Sequence, residues 1–336
     1  MTDVSDLKRR LSEIGGFDLR PGIVDLHGDG FERHLAPRRG ALKNMSEGLV
    51  ALDAELAANG ITTAMLAQFW SWEGGMRGPD FARRLVTSLA ETQGLFTDMR
   101  VQLRVEVSLI DDFDAIADFV AEAGIEMVVF NDHLPHEALA KGKPPPRLQG
   151  QALKSGRSPE AHWKLLQELH ERQPDVPSAL AGLAHKLGAL GVRMGSHDDR
   201  TARQRAAYRG MHADIAEFPE TREALDAARK DLKVLGAPNV VRGGSHKKGL
   251  SAAEAVHDGL CDVLVSDYHY PAPRLAALAL EAKGIDAWPL VSSAPASVLG
   301  VDRADFCVLD PAGRVVGTHA AGRWSHMTAP LYEALQ

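Results

Sequence analysis

The sequence predicts a (β/α)8 barrel, and three observations support this prediction. Eight short runs rich in Val, Ile, Leu and Met alternate along the chain with longer amphipathic stretches. Most of the runs are apolar on both faces, as parallel strands covered by helices are. Several stretches end on a glycine just before the next run, a typical helix stop, at Gly60, Gly124 and Gly191. An open, doubly wound sheet is the structural alternative.

The eight predicted strands cover residues 22–26, 61–67, 101–109, 127–130, 192–195, 215–218, 240–242 and 263–265. The amphipathic stretches between them predict helices over residues 46–59, 79–91, 113–123, 176–190, 220–235 and 252–259. The chain of 336 residues is longer than the ~250 residues of a typical barrel, so insertions are expected.

The predicted organisation has three parts. Residues 1–20 form a short N-terminal extension, and residues 21–300 form a distorted barrel of the TIM type. Within the barrel, the long segment 131–177 predicts a lid insertion over the active site, with a helix near residues 159–172. Residues 301–336 form a C-terminal β-hairpin and tail, a reduced β-subdomain, since two apolar runs flank the turn sequence Asp310-Pro311-Ala312-Gly313.

Composition limits the classes of function. The chain is 45% apolar and 25% charged, as soluble globular proteins are, with a net charge of −7. This charge argues against binding of nucleic acid or of a membrane surface. No secretory signal and no apolar run of ~18–20 residues is present, so a cytoplasmic protein is expected. Cys261 and Cys307 are expected to be buried and unpaired.

Polar side chains lie near the C-terminal ends of most of the predicted strands or just after them. They include His27, Asp29, Glu106, His133, His197, Glu217 and Asp267, with Arg242 at the end of the predicted seventh strand and His246 after it. Catalytic groups of such barrels come from these strand ends, and imidazole and carboxylate groups are the ligands that Zn²⁺ and other first-row divalent ions prefer. Asp267 is the best-placed proton acceptor by position. Alternatively, single members of the set are helix caps, surface charges or core histidines.

Basic residues occupy the same predicted loops and favour phosphate oxygens. The predicted substrate-binding residues are Arg33, His34, Arg38, Arg200, Arg242, Lys247 and Lys248. In an acidic chain this concentration of cations indicates an anionic, phosphorylated small-molecule substrate, although Lys247 and Lys248 could be ordinary surface lysines. No Gly-x-Ser-x-Gly elbow, dinucleotide fingerprint or phosphate-binding loop is present.

Several of these motifs resemble a known group of enzymes. The segments are Pro21-Gly-Ile-Val-Asp-Leu-His27-Gly-Asp29, Arg104-Val-Glu106, Ser196-His197-Asp198-Asp199, Gly236-Ala-Pro-Asn-Val-Val-Arg242-Gly-Gly-Ser-His246 and Asp267-Tyr268. They are similar to signatures of the amidohydrolase superfamily and, within it, of the family of α-D-ribose 1-methylphosphonate 5-triphosphate diphosphatases in the carbon–phosphorus lyase pathway. The resemblance covers residues 20–325.

This resemblance implies a barrel with one or two divalent metal ions, usually zinc, with manganese or iron as alternatives. By the resemblance, His27 and Asp29 are ligands, Glu106 bridges, His133 and His197 complete the set, and Asp267 is both ligand and proton shuttle. Glu217 stands where many relatives carry a ligand histidine. His246 is the second catalytic candidate. The implied reaction cleaves a triphosphate ester and releases diphosphate. Barrels of this superfamily often form homo-oligomers, although no segment of the sequence indicates an interface.

Three departures from the family pattern bear on the substrate. Few residues precede the barrel, Gly28 and Gly30 replace bulkier polar residues, and the loop after His133 does not follow the usual sequence. Two other functions therefore stay open. One is hydrolysis of a C–N bond, as in cyclic amides or deamination. The other is non-catalytic binding of a phosphorylated metabolite.

Overall fold

The structure, a computed structural model, describes residues 4–36, 44–244, 249–301 and 304–336. Its strands are β1 (Asp18–Pro21), β2 (Ile23–Gly28), β3 (Ile61–Trp70), β4 (Asp98–Glu106), β5 (Met127–Asn131), β6 (Arg193–His197), β7 (Ala213–Glu217), β8 (Leu232–Gly236), β9 (Val263–Val265), β10 (Phe306–Leu309), β11 (Val315–Ala320) and β12 (Arg323–Met327).

The α-helices are α1 (Val4–Ile14), α2 (Glu32–Leu35), α3 (Met45–Ala58), α4 (Pro79–Glu91), α5 (Phe113–Ala123), α6 (His136–Ala140), α7 (Leu148–Ser155), α8 (Pro159–Glu171), α9 (Val176–Ala189), α10 (Ala202–Gly210), α11 (Arg222–Ala227), α12 (Ala237–Arg242), α13 (Ala252–His257), α14 (Ala272–Glu281), α15 (Ser293–Leu299) and α16 (Ala329–Leu335). Among the residues described, none of these helices combines the length and apolar character of a membrane-spanning segment.

Strands β2 to β9 form one eight-stranded sheet in chain order. The first and last of them meet where Gly28 forms a parallel bridge with Asp267. A doubly wound sheet reverses its strand order at a switch point, and this sheet does not. The predicted (β/α)8 barrel is therefore confirmed. Every residue of β2 and β3 is buried, as expected for strands covered on both faces.

Capping residues and glycines in the sequence determine where several helices begin and end. Helices α4 and α5 have the predicted bounds. Helix α3 begins where the Asn44 side chain accepts a hydrogen bond from the Ser46 backbone N–H at 3.0 Å. Helix α5 ends at Gly124, whose φ of 61° lies in the left-handed region that favours glycine.

The predicted seventh barrel strand was wrong. Residues 240–242 belong to helix α12, which starts with a proline in its first turn and ends at Gly243 in the left-handed conformation. The strand is instead β8, which overlaps the end of the predicted helix 220–235. Lys233 interrupts the apolar pattern of β8, but its Nζ bonds Asp262 Oδ2 at 2.6 Å. The strand was not predicted because Lys233 breaks its apolar pattern, and the sequence does not show that this charge is paired with Asp262.

A second, antiparallel sheet has the strand order β1-β10-β11-β12. Strands β10 and β11 form the predicted C-terminal hairpin, and β1 adds the predicted N-terminal extension to its edge, with Arg20 opposite Cys307. This sheet and helices α1 and α16 share a small core, formed by Leu7, Leu11, Phe306, Val308, Val316 and Leu331.

The chain divides into two compact units. The first unit consists of residues 1–66, 88–100 and 232–336, and the second of residues 67–87 and 101–231. The first unit contains the small sheet and the Gly28–Asp267 bridge. The second contains β5 to β7 and the helices of the predicted insertion, which pack on a cluster of Trp72, Leu134, Leu139, Leu166 and Leu169.

Candidate functional site

In the first unit, His27, Asp29 and Asp267 form what we call the first group. One ligand atom from each of the three lies within 4.8 Å of the others. Backbone hydrogen bonds fix the strand ends that carry them: Asp267 N–H donates to His27 O at 3.0 Å, and Asp29 N–H donates to Asp267 O at 2.8 Å. One imidazole and two carboxylates are suitable ligands for a first-row divalent metal ion.

Tyr270 explains the two glycines beside the first group. A Cβ on Gly28 would lie 2.8 Å from Tyr270 Cε1, and a Cβ on Gly30 would lie 3.0 Å from Tyr270 Cε2. The buried ring therefore occupies the space that larger residues would need at these two positions. Burial raises the pKa of Tyr270 well above its ordinary value, so the phenol keeps its proton at neutral pH.

Asp25 and Ser266 tie the closing strands together, a role that the sequence analysis missed. Ser266 N–H donates to Asp25 Oδ1 at 2.9 Å, and its hydroxyl donates to Asp25 Oδ2 at 2.5 Å. Burial raises the pKa of Asp25 to about 6, although Ser266 and His27 oppose this rise. A lone carboxylate within a predicted strand that is otherwise apolar was the available signal.

Arg33 and His34 share a partner on helix α3. Glu55 pairs with Arg33 Nη2 through one carboxylate oxygen and with His34 Nε2 through the other. The Arg33 guanidinium also lies 5.4 Å from the centre of the Tyr270 ring. Two predicted substrate-binding residues therefore converge on one carboxylate, which the sequence analysis did not single out.

In the second unit, His133, His197 and Asp198 form the second group, again with one potential ligand atom from each within 4.8 Å of the others. His133 Nδ1 lies 2.5 Å from Glu106 Oε1, and His133 N–H donates to Glu106 Oε2 at 3.1 Å. Trp72 Nε1 donates to the same Oε2 atom at 3.2 Å. Burial lowers the pKa of His133, but the hydrogen bond and charge of Glu106 outweigh burial, so the pKa is raised.

Arg104 is buried in the second unit and was not predicted as a site residue. Its Nη2 lies 2.8 Å from His197 Nε2, and His197 Nδ1 lies 2.7 Å from Glu217 Oε2. Burial, followed by the charge of Arg104, lowers the pKa of His197 to about 4. The imidazole of His197 is therefore neutral at physiological pH.

Three strands of the barrel are followed by residues other than glycine in the left-handed backbone region. Asp198 follows β6 with a φ of 58°, Phe218 follows β7 with a φ of 52°, and Asp267 follows β9 with a φ of 54°. Residues other than glycine are strained there, and such strain concentrates at functional sites. Asp267 of the first group and Asp198 of the second group both have this backbone conformation.

The remaining predicted residues either belong to neither group or lie outside the described residues. Arg200 pairs with Glu220 and is largely exposed, and Arg242 is exposed at the end of α12. Arg38, His246, Lys247 and Lys248 lie outside the described residues, so their predicted roles stay predictions.

A curated protein is similar to most of the chain. It is the α-D-ribose 1-methylphosphonate 5-triphosphate diphosphatase of Escherichia coli (strain K12), which is 31% identical over 284 residues, covering 81% of this chain and 73% of that protein. No protein-family model matches the sequence.

Solved structures share the fold. N-isopropylammelide isopropylaminohydrolase from Burkholderia multivorans aligns with a TM-score of 0.55 and 14% identity, over 92% of this chain and 88% of that one. 5-Methylcytosine deaminase from Klebsiella pneumoniae aligns with a TM-score of 0.54 and 14% identity, over 94% and 87% of the two chains. These likenesses concern the barrel. Taken with the similarity to the E. coli protein, they lead to one conclusion: the chain is a hydrolase of the amidohydrolase superfamily and belongs to the α-D-ribose 1-methylphosphonate 5-triphosphate diphosphatase family.

Proposed function

We propose that this chain cleaves a phosphoanhydride bond and releases diphosphate from a ribose 5-triphosphate that carries a phosphonate ester. The observation that carries the proposal is the first group, in which an imidazole and two carboxylates converge beside the bridge between β2 and β9. The named activity of the E. coli relative supplies the substrate class.

His27, Asp29 and Asp267 are the residues that would hold a divalent metal ion. Nitrogen and oxygen donors in this ratio suit zinc, with manganese or iron as alternatives. A bound ion supplies Lewis acidity, which polarises a phosphoryl oxygen and makes water easier to deprotonate. The predicted ligands of the second unit are bonded to one another and to Arg104, so the proposed metal site is the first group.

Asp267 has a second role in this proposal. Its carboxylate takes the proton of the attacking water and returns it to the departing diphosphate, since a positioned carboxylate can act as base and then as acid. The backbone bonds from Asp267 to His27 and Asp29 keep the carboxylate beside both other residues. The Tyr270 ring lies close to the backbone at Gly28 and Gly30, on either side of Asp29.

Cations near the first group would bind the phosphates. Arg33 is half-exposed, and its guanidinium can share its hydrogen bonds between Glu55 and a substrate oxygen. A substrate phosphate could draw part of this hydrogen bonding away from Glu55, because a dianion competes well with one carboxylate for a guanidinium.

The proposal is tested by metal removal and by replacement of one carboxylate. Chelated protein should release no diphosphate from the ribose triphosphate ester, and zinc should restore the release. Asp267→Asn should lower kcat by a factor of 100 or more, about the contribution of general acid–base catalysis. Asp286→Asn changes an exposed aspartate of the same unit and should leave kcat unchanged.

Full activity of the chelated protein would refute the proposal. Hydrolysis of cyclic amides or amines, with no diphosphate release, would instead support the C–N alternative. Tight binding of the ester without turnover in the presence of zinc would indicate a binding protein.

A further inference from the structure

A continuous chain of hydrogen bonds runs through the second unit where metal ligands were predicted. Arg104 Nη2 lies 2.8 Å from His197 Nε2, His197 Nδ1 lies 2.7 Å from Glu217 Oε2, and Gln102 Nε2 donates to Glu217 Oε1 at 2.9 Å. Gln102, Arg104 and Glu106 alternate along β4, so all three side chains leave the same face of the strand.

The protons in this chain can be assigned from the chemistry of the groups. A guanidinium only donates, so His197 Nε2 accepts the hydrogen bond from Arg104. A neutral imidazole then carries its proton on Nδ1, and this proton is donated to the carboxylate of Glu217. Both ring nitrogens of His197 are used, and neither offers a lone pair to a metal ion.

Arg104 is held firmly in this position. It is 4% exposed, and its Nε and Nη2 donate to Asn131 Oδ1 at 3.2 and 2.9 Å. The guanidinium carbon lies 4.0 Å from the centre of the Phe69 ring, within the range of a cation–π interaction. A divalent ion on His197 Nε2 would have to displace this buried cation and would be repelled by it at short range.

The other members of the second unit are engaged in the same way. Glu106 accepts hydrogen bonds from Trp72 and from the His133 backbone on one oxygen, and its other oxygen lies 2.5 Å from His133 Nδ1. Glu217, which stands where a ligand histidine is expected, accepts from Gln102 and His197 on separate oxygens. Both carboxylates and the Nδ1 atom of His133 therefore already have hydrogen-bond partners within the protein.

From this network we infer that His197 is a hydrogen-bonded link between Arg104 and Glu217 and not a metal ligand, and that the Arg104 guanidinium is the permanent cation of the second group. The inference rests on the proposed function, because it restricts the metal to the first group. It gives the protein one metal ion per chain, with a fixed side-chain charge where a second ion would otherwise bind.

Metal stoichiometry tests the inference. Wild-type protein is saturated with zinc, freed of excess metal by gel filtration and analysed by mass spectrometry. We expect about one zinc ion per chain for the wild type and for Arg104→Lys, which keeps the charge, and about two for Arg104→Met, which frees His197 Nε2. Two ions on the wild type, or no gain in Arg104→Met, would overturn the inference and leave the proposed function standing. A wild-type chain that binds no zinc would overturn both.

A measurement on the unmutated protein guards against misfolding of Arg104→Met. In protein labelled with ¹⁵N-histidine, the ring resonances of His197 are identified by their loss in His197→Gln. Zinc should shift the ring resonances of His27 and leave those of His197 unchanged, with Nδ1 protonated. A coordination shift on either nitrogen of His197 would overturn the inference.

Discussion

Replacement of Arg205 by leucine should destabilise the second unit strongly. Arg205 is fully buried on α10, and its side chain forms ion pairs with Asp199 and Asp231, both at 3.1 Å. It also donates to Ser196 Oγ at 2.7 Å and to the backbone carbonyl of Ile215 at 3.1 Å. These contacts hold helix α10 against β6 and β7, the strands that end in His197 and Glu217.

The magnitude follows from what Arg205→Leu leaves behind. Removing one partner of a buried ion pair costs about 3–5 kcal/mol, because the remaining charge is buried without compensation. Here the Asp199 carboxylate, which is 3% exposed, loses its ion pair and keeps the Ser196 hydroxyl, whereas Asp231 keeps its ion pair with Arg209. We therefore expect the free energy of unfolding to fall by about 4 kcal/mol, in the middle of that range.

Urea denaturation followed by circular dichroism measures this change. Arg203→Leu is the matched control, because Arg203 lies exposed on the same helix and its loss should change stability by less than about 0.5 kcal/mol. Adding Asp199→Asn to Arg205→Leu should recover part of the lost stability, since the uncompensated charge of Asp199 is removed. A loss below about 1 kcal/mol for Arg205→Leu would refute the reasoning.

Three further predictions concern the first unit. Gly28→Ala should lower the free energy of unfolding by about 2 kcal/mol in urea, because its Cβ would lie 2.8 Å from the Tyr270 ring, and unchanged stability would contradict this packing. In metal-free protein, the pKa of about 6 for buried Asp25, against 3.8 when unfolded, means that folding favours the protonated carboxyl. Stability relative to Asp25→Asn should therefore fall between about pH 4 and pH 6, by up to about 3 kcal/mol (2.2 × 1.36), and a constant difference would contradict the assignment. Burial raises the pKa of Cys261, and that of Cys307 to about 12, so neither thiol should react with a disulfide reagent before the protein unfolds, whereas rapid labelling of the native protein would show that one is accessible.

Periodicity in the sequence was sufficient to predict the barrel because most of its strands are continuous apolar runs. It failed at β8, where Lys233 depends on Asp262, 29 residues later, for its charge partner. An ion pair between residues this distant in sequence forms only in the folded chain, so the local pattern of apolar and polar residues does not reveal it.

The candidate site, too, could be predicted in part: the residue types were visible in the sequence, but their hydrogen-bond partners were not. Residue type and position at strand ends were enough to name His27, Asp29 and Asp267 as candidates, because parallel strands present their ends at one edge. They were not enough to show that Arg104 would bond His197. A buried arginine is stable only with partners from other strands, here Asn131 and His197, and the sequence does not reveal which strands supply them.

The pairing of β1 with β10, and of Gly28 with Asp267, has a consequence for synthesis of the protein. Strand β1 and the bridge at Gly28 find their hydrogen-bond partners only after residues 263–309 have been translated. Until then β2 is paired with β3 on one edge alone and β1 is unpaired, and contacts this distant in sequence form slowly. Ribosome-bound chains halted before residue 263 should therefore lack both pairings, and translation past β10 should be the step that allows β1 to pair.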